Sequence, residues 1–171
     1  MNMQYELTTP CTAQDLAPLQ AGDTVLLSGV VYTARDQAHK RMLEALDRGE
    51  PLPFDLEGSA IYYGGPTPER PGAVSGSAGP TTSGRMDAMS PRLLDLGNKV
   101  MIGKGKRDAA VKEAVVRNGA VYLAALGVAG ALMAKSVKTL EVIAWPDLGC
   151  EAVRRLTVEQ LPLTVILDAH G

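Results

Sequence analysis

The second half of the chain alternates short β-branched segments with helical patterns, and this alternation constrains the fold more than any other feature. Strands are predicted at Lys99–Ile102, Ala120–Leu126 and Leu140–Trp145. Helices are predicted between them, at Asp108–Arg117 and at about Val128–Ser136. Such β-α-β-α-β order indicates a sheet with at least a parallel portion and with helices packed against it. We therefore predict an α/β fold with a mixed sheet and covering helices.

The rest of the chain adds further strands and two helices to this pattern. Asp36 is predicted to cap the first helix and Ser90 the second, and Gly29 is predicted to bend its strand. The predicted strands are Met3–Leu7, Asp23–Tyr32, Ser59–Tyr63, Val153–Val158 and Leu163–Leu167, and the helices are Gln37–Arg48 and a short one from Ser90 to Gly97.

Composition excludes several functional classes. The chain has 171 residues, 46% of them hydrophobic, and a net charge of −2, which fits one globular domain over residues 1–171. Its charge pattern has no nucleic-acid footprint, and its longest apolar run, Val121–Ala134, is too short to span a bilayer. Cys11 and Cys150 lie far apart and no signal-peptide pattern is visible, so we expect reduced thiols in a cytoplasmic protein.

Between Gly64 and Pro91 the chain is dominated by Gly, Pro, Ser and Thr, which is a long irregular segment for a compact domain. Composition leaves two interpretations open. One is a flexible surface loop with a solvated Arg85. The other is an anion-binding loop in which glycines such as Gly84 expose main-chain amides, Thr81 and Thr82 add hydroxyls, and Arg85 grips a carboxylate or phosphate. Asp87 is placed to orient Arg85.

Two other cationic residues follow predicted strands. Arg35 precedes Asp36 at a helix start, where anions are favoured, although Asp36 could simply cap the helix. Lys104 lies in Gly-Lys-Gly-Lys after a strand, but the spacing from Gly97 and the glycine after Lys104 do not fit a phosphate-binding P-loop. If the three loops converge, Arg35, Arg85 and Lys104 form a pocket for a small dianion, most simply a dicarboxylate.

Neither zinc nor iron ligation is predicted for this chain. Its histidines and cysteines form no cluster with metal-ligand spacing. His39, in the first long helix, is expected to pack rather than to ligate a metal.

Several strings of the sequence resemble one enzyme family, in matching order and over nearly the whole chain. They are LSGVVYTARDQAHKR, AIYYGGP, AGPTTSGRMD, VMIGKGKR and LGCEAVRRLTVEQLPLTVILDAHG. These strings resemble the C-terminal domain, or separate β subunit, of the iron–sulfur class I fumarases, an architecture shared with L-tartrate dehydratase β subunits. The resemblance implies a swivelling β/β/α domain that docks on a larger α subunit, which holds a [4Fe-4S] cluster whose open iron acts as a Lewis acid. No metal is then expected in this chain.

The resemblance also implies roles for individual residues. Arg35 and Arg85 look like carboxylate-binding groups, with Lys104 as a third cationic contact and Thr82 beside them. Thr81 resembles the residue proposed as the base that removes a proton from malate.

The substrate is assigned from two positions. Gly84 and Asp87 give the form typical of fumarases, which favours fumarate hydratase in the TCA cycle over L-tartrate dehydratase. A third possibility is a non-catalytic dicarboxylate-binding module with the same fold. Self-association of the isolated chain is also expected, since the surface that contacts the α subunit would then be exposed.

Overall fold

A computed structural model of the chain describes residues 3–64, 83–124 and 135–171. Seven strands in these ranges form one sheet: β1 (Gln4–Thr8), β2 (Thr24–Thr33), β3 (Ala60–Tyr62), β4 (Val100–Gly103), β5 (Val121–Ala124), β6 (Val137–Ala144) and β7 (Val153–Leu167). The helices that cover it include α1 (Ala13–Leu16), α2 (Asp36–Asp47), α3 (Ser90–Asp95) and α4 (Ala109–Asn118). The architecture is thus mixed α/β, as predicted.

The strand pairings close on themselves. Strands β2, β3, β4 and β5 run parallel in that order, and β7 runs antiparallel to both β5 and β2. The result is a ring of strands β2–β3–β4–β5–β7, with β1 added beside β2 and β6 beside β7. A closed ring protects the backbone groups that an open sheet edge would expose.

Successive residues of the parallel strands β3, β4 and β5 belong to two different apolar cores. Tyr62, Ile102 and Leu123 lie in a core built from residues on one face of the ring strands, together with Leu16 and Leu19. Ile61, Met101 and Tyr122 face the other way, into a core completed by apolar residues of α2, α3 and α4. Burial on both faces is what parallel strands with covering helices require, and it explains their nearly continuous apolar sequences.

Local signals in the sequence fix the ends of α4. The Asp108 side chain accepts a hydrogen bond from the Val111 N–H at 3.0 Å, and Gly119 ends the helix in the left-handed conformation with φ 64°. Both ends of α4 are therefore recognisable from the sequence. The start of α3 is also recognisable, because Pro91 lies in its first turn.

Several predicted details are wrong. The late strands form one continuous strand, β7, because Glu159 and Gln160 oppose the single residue Ser28 as a bulge instead of breaking the pairing. Asp36 is the first residue of α2 rather than its N-cap, and no side chain caps this helix. Met89, not Ser90, precedes α3, and α1 was not predicted.

The predicted helix at Val128–Ser136 and the end of the predicted strand Ala120–Leu126 lie largely outside the described residues. Within the described ranges, no helix is both long enough and apolar enough to cross a membrane.

Candidate functional site

Parallel strands end at the same edge of a sheet, and in α/β folds that edge is where ligands bind. Here β2 is followed by Ala34, Arg35 and Asp36, and β4 by Lys104 and Gly105. A short 3-10 turn, Ser83–Met86, carries Arg85 to the same edge. We refer to this turn together with Asp87 as the site turn.

Backbone hydrogen bonds attach the site turn to the end of β4. The Ser83 N–H donates to the Lys104 carbonyl at 2.8 Å, and the Lys104 N–H donates to Ser83 Oγ at 3.0 Å. The approach is close enough to require Gly103, since a Cβ there would collide with Ser83 Oγ and lie 3.0 Å from Cδ2 of Tyr63. Glycine at this position thus permits the contact between the turn and the strand.

The buried hydroxyl of Ser83 is also hydrogen-bonded to Tyr122 on β5. The Tyr122 hydroxyl lies 2.9 Å from the Gly105 carbonyl, to which it donates, and 2.8 Å from Ser83 Oγ. Since the single tyrosine proton goes to the carbonyl, the Ser83 hydroxyl donates to the Tyr122 oxygen. Burial raises the pKa of Tyr122 above its ordinary value, so this hydroxyl stays protonated at neutral pH.

Arg85 contacts the beginning of α2. Its Nη2 lies 2.7 Å from Oδ2 of Asp36, with 55% of the arginine side chain and 24% of the aspartate side chain exposed. The other oxygen of Asp36, Oδ1, is buried and has no hydrogen-bond partner among the described residues. The ion pair connects the loop after β2 to the site turn and leaves much of the guanidinium open to solvent.

Arg35 lies directly before this pair, with its carbonyl oriented by His39. The carbonyl accepts hydrogen bonds from the His39 N–H at 2.8 Å and from His39 Nδ1 at 2.9 Å. Lys104 is exposed. The structure therefore joins the loops of all three predicted cations, through Asp36–Arg85 on one side of the turn and Ser83–Lys104 on the other.

Sequence reasoning missed Arg107, which has the most extensively bonded side chain of the described site region. Its Nε lies 2.6 Å from Oδ1 of Asp87, and its Nη2 donates to Ser90 Oγ at 2.8 Å. The prediction that Asp87 orients Arg85 is therefore wrong, because Asp87 contacts Arg107 and Arg85 contacts Asp36. In the sequence Arg107 ends a run of basic residues, GKGKR, which is typical of a solvated surface, so no signal distinguished it.

Gly84 adopts an ordinary backbone conformation, and a Cβ placed on it would lie 3.6 Å from the Lys106 carbonyl oxygen. The fold therefore does not require glycine at this position. Thr81 and Thr82 lie outside the described residues. Among the residues of the three described ranges, no group of three or more His, Cys, Asp or Glu side chains could hold a metal ion. These residues therefore do not fit an iron–sulfur cluster as a bound group of this chain.

Comparison with known proteins places these observations in a family. The family described as fumarase C-terminus matches residues 1–171. The chain is 40% identical to fumarate hydratase 2 of Leishmania major and 38% identical to the aerobic class I fumarate hydratase of Salmonella typhimurium, covering 92% of this chain in each case. The chain spans 28% of the length of each of these two proteins.

A relative of similar extent is the putative L(+)-tartrate dehydratase subunit beta of Methanocaldococcus jannaschii. It is 42% identical over 166 residues, which cover 94% of this chain and 85% of the relative. Since the family match spans the whole chain and this relative aligns along most of its own length, the chain belongs to the fumarase C-terminus family.

Proposed function

We propose that the chain is the β subunit of a class I hydro-lyase that interconverts fumarate and L-malate together with an α subunit. In this assignment the chain is a swivelling β/β/α domain that forms one wall of the active site. The α subunit carries a [4Fe-4S] cluster, which supplies Lewis-acid chemistry at the substrate hydroxyl. Family membership and relatives named as fumarate hydratases and tartrate dehydratase β subunits support the proposal.

The observation that carries the proposal is the half-exposed guanidinium of Arg85, held by Asp36 where three loops meet. Nη2 of Arg85 donates to Oδ2 of Asp36, so the remaining N–H groups of the planar guanidinium are suited to a substrate carboxylate. Fixing the plane of the guanidinium before substrate arrives lowers the entropy cost of binding.

The second carboxylate of the substrate would bind Lys104 and Arg35. A dicarboxylate held at both ends keeps its two central carbons in register for elimination of water. Removing a proton next to a carboxylate also builds negative charge on that carboxylate, which pre-placed cations stabilise.

Proton transfer is assigned to Thr81, with Thr82 as a further substrate contact. A threonine hydroxyl is a weak base at neutral pH, so the nearby cations and main-chain amides would have to stabilise its alkoxide. Gly84 supports this arrangement by keeping side-chain atoms away from the substrate beside Arg85.

Fumarate is favoured over tartrate because Gly84 and Asp87 follow the form typical of fumarases. The freedom to accept a Cβ at Gly84 supports a role in substrate choice, since packing does not demand the glycine. The 42% identity to a putative tartrate dehydratase subunit beta makes L-tartrate the second candidate substrate.

The test is Arg85→Ala in the enzyme assembled anaerobically with its α subunit. We expect kcat/KM for fumarate to fall about a hundredfold or more, since one charged contact to the reacting group is lost. The matched control is Arg117→Ala, which removes the exposed pair with Asp95 on another part of the surface and should leave activity unchanged. Near-normal activity of the Arg85 variant would refute the assignment, and assays with fumarate and L-tartrate in parallel decide the substrate.

A further inference from the structure

Arg107 has a charged side chain that is completely buried, and the proposed chemistry does not use it. Its side chain is 0% exposed, and the Asp87 side chain that it contacts is 14% exposed. Removing a guanidinium from water costs several kcal/mol, which only well-formed hydrogen bonds and an opposite charge offset. An apolar side chain would fill the same core position without this cost, so the fold gains no obvious stability from an arginine here.

The contacts of Arg107 fix its guanidinium on every side. Nε and Nη2 bind Asp87 and Ser90, and Nη1 lies 3.4 Å from the sulfur of Met101 on β4. The guanidinium carbon also lies 5.0 Å from the ring centre of Tyr63 and 4.9 Å from that of Tyr122. Planar stacking and a fork of donors are properties of arginine that lysine does not share.

These contacts hold the C-terminal end of the site turn. Asp87, at the end of the turn, accepts from Arg107 at Oδ1 and from the Asp108 N–H at Oδ2, 2.9 Å away. Ser90 Oγ accepts from Arg107 and donates to the Met86 carbonyl at 3.0 Å. Arg107 thus holds the last two residues of the turn, directly and through Ser90.

The N-terminal side of the turn is held separately, by Tyr122 and the Lys104 backbone at Ser83. Arg85 lies between the two anchored ends. Because Asp87 already balances the charge of Arg107, this arginine adds little to the field that attracts a substrate anion. Its remaining effect on the site is to hold the site turn in position.

We propose that Arg107 is a positioning residue that sets the place of Arg85 by fixing the site turn against strands β4 and β5. This inference rests on the proposed function for its consequence in catalysis, but the physical restraint on the turn is testable without turnover. A displacement of reacting groups by about 1 Å costs on the order of a hundredfold in rate, so loss of this restraint should be visible in kinetics.

The experiment compares Arg107→Lys with Arg117→Lys, a control in the last turn of α4, the helix that follows Arg107. Hydrogen exchange of the chain is followed at the amides of Asp87, Met89 and Asp108. We expect exchange at least about tenfold faster in the Arg107 variant and unchanged in the control. In the assembled enzyme we expect a higher KM and about a tenfold to hundredfold lower kcat/KM for fumarate. A variant that was only less stable would lower the active fraction and leave KM alone.

Ser90→Ala is the second variant in case Arg107→Lys does not fold, because it removes the link from Nη2 to the Met86 carbonyl, together with a 3.1 Å contact to the Tyr63 hydroxyl, and keeps the Arg107–Asp87 pair. It should show the same changes at a few-fold magnitude. Unchanged exchange, or faster exchange with unchanged KM, would overturn the positioning role. Full activity of Arg85→Ala would instead overturn the proposed function, while the exchange result would still report on the restraint.

Discussion

His39 is a buried histidine that connects the candidate site to the stability of the fold. Nδ1 lies 2.9 Å from the Arg35 carbonyl, to which it donates, so Nε2 carries the lone pair. The ring meets Tyr63 edge-on, with centroids 5.3 Å apart. As predicted from the sequence, the residue packs, and the same contact orients the backbone of Arg35.

Stability should fall in mild acid because of His39. Burial, followed by the repulsion from Arg107, lowers its pKa from 6.5 to about 4, although the Arg35 carbonyl and the Asp36 carboxylate oppose the shift. Between those values the unfolded chain binds more protons than the folded one. The stability that neutral His39 contributes is therefore fully present above pH 6.5 and is lost as pH falls towards 4. The loss between pH 7 and pH 5 is about 2 kcal/mol.

Urea unfolding at a series of pH values measures this effect. His39→Asn keeps a donor at the position of Nδ1 for the Arg35 carbonyl without titrating, and should flatten the profile between pH 5 and 7. His170→Gln, which changes an exposed histidine, should leave the profile as it is. A His39 variant with the same pH dependence as the natural chain would show that another group is responsible.

Substitution by alanine should destabilise the fold at one glycine of the site and leave its stability almost unchanged at another. Gly103→Ala forces a methyl group into Ser83 Oγ and should destabilise the fold by about 1–3 kcal/mol. Gly84→Ala meets only ordinary van der Waals contacts and should change stability by less than about 0.5 kcal/mol. Its effect is expected in the ratio of kcat/KM for fumarate and L-tartrate. Thermal melts of both variants, with the two-substrate assay, check this, and equal destabilisation by both would contradict it.

The sequence can identify those site residues whose role is indicated by their immediate neighbours in the chain. Arg85 stands out as the single cation of the stretch 75–91, which is rich in Gly, Ser and Thr, and Lys104 stands out because it lies between two glycines directly after a strand. Arg107 could not be found in this way, because its importance arises from partners at positions 63, 87, 90, 101 and 122, which only the folded chain brings together. The Asp36–Arg85 pair likewise joins residues 49 positions apart in sequence.

At the level of elements, β7 shows where a strand was misjudged and why. Pro162 and the polar pair Glu159-Gln160 suggested a break, yet Pro162 is tolerated opposite Leu26, and the Gln160 N–H donates to Ser28 Oγ at 3.0 Å. The parallel strands were predictable because both of their faces are buried, which makes them continuously apolar. The closure of the ring by β7, which pairs with both β2 and β5, was not predictable, since pairing between distant strands leaves no local pattern in the sequence.

The bulge in β7 yields a stability prediction. Gln160 is exposed and has φ 52°, a conformation that costs a side-chain-bearing residue on the order of 1 kcal/mol. Gln160→Gly should therefore stabilise the chain by up to about 1 kcal/mol. Its neighbour Glu159 is also exposed and lacks a positive φ, so Glu159→Gly should destabilise it by about 0.5–1 kcal/mol. Chemical denaturation of the two variants is the measurement, and stabilisation by neither would contradict the assigned strain.

At the scale of the whole molecule, the closed ring of strands carries the candidate site at one of its edges. The two apolar cores lie on opposite faces of the ring strands, whereas the candidate site occupies one edge and consists of polar loop residues. Loops carried by a rigid sheet can present charged groups to a partner without weakening the core. The charges at this edge, Arg85 and Lys104 among them, are therefore accessible from outside the cores, as the proposed function requires.

The last prediction concerns the division of the reaction between two subunits. Removing water from malate needs groups that bind both carboxylates, take a proton and activate the departing hydroxyl. In the proposed function, the described residues of this chain supply only the cations for the carboxylates. We expect no measurable turnover of fumarate or malate by the chain alone. Activity should appear on anaerobic addition of the α subunit and rise to a plateau at an equimolar ratio.

The Arg85→Ala chain provides the matched control, because it should assemble with the α subunit yet leave the plateau about a hundredfold lower. Analytical ultracentrifugation separates failure to assemble from failure to react, and also reports self-association of the chain alone. Turnover by the isolated chain above about a hundredth of the plateau would mean that this edge of the sheet is a complete active site. A plateau unaffected by the loss of Arg85 would refute the proposed function of this edge of the sheet.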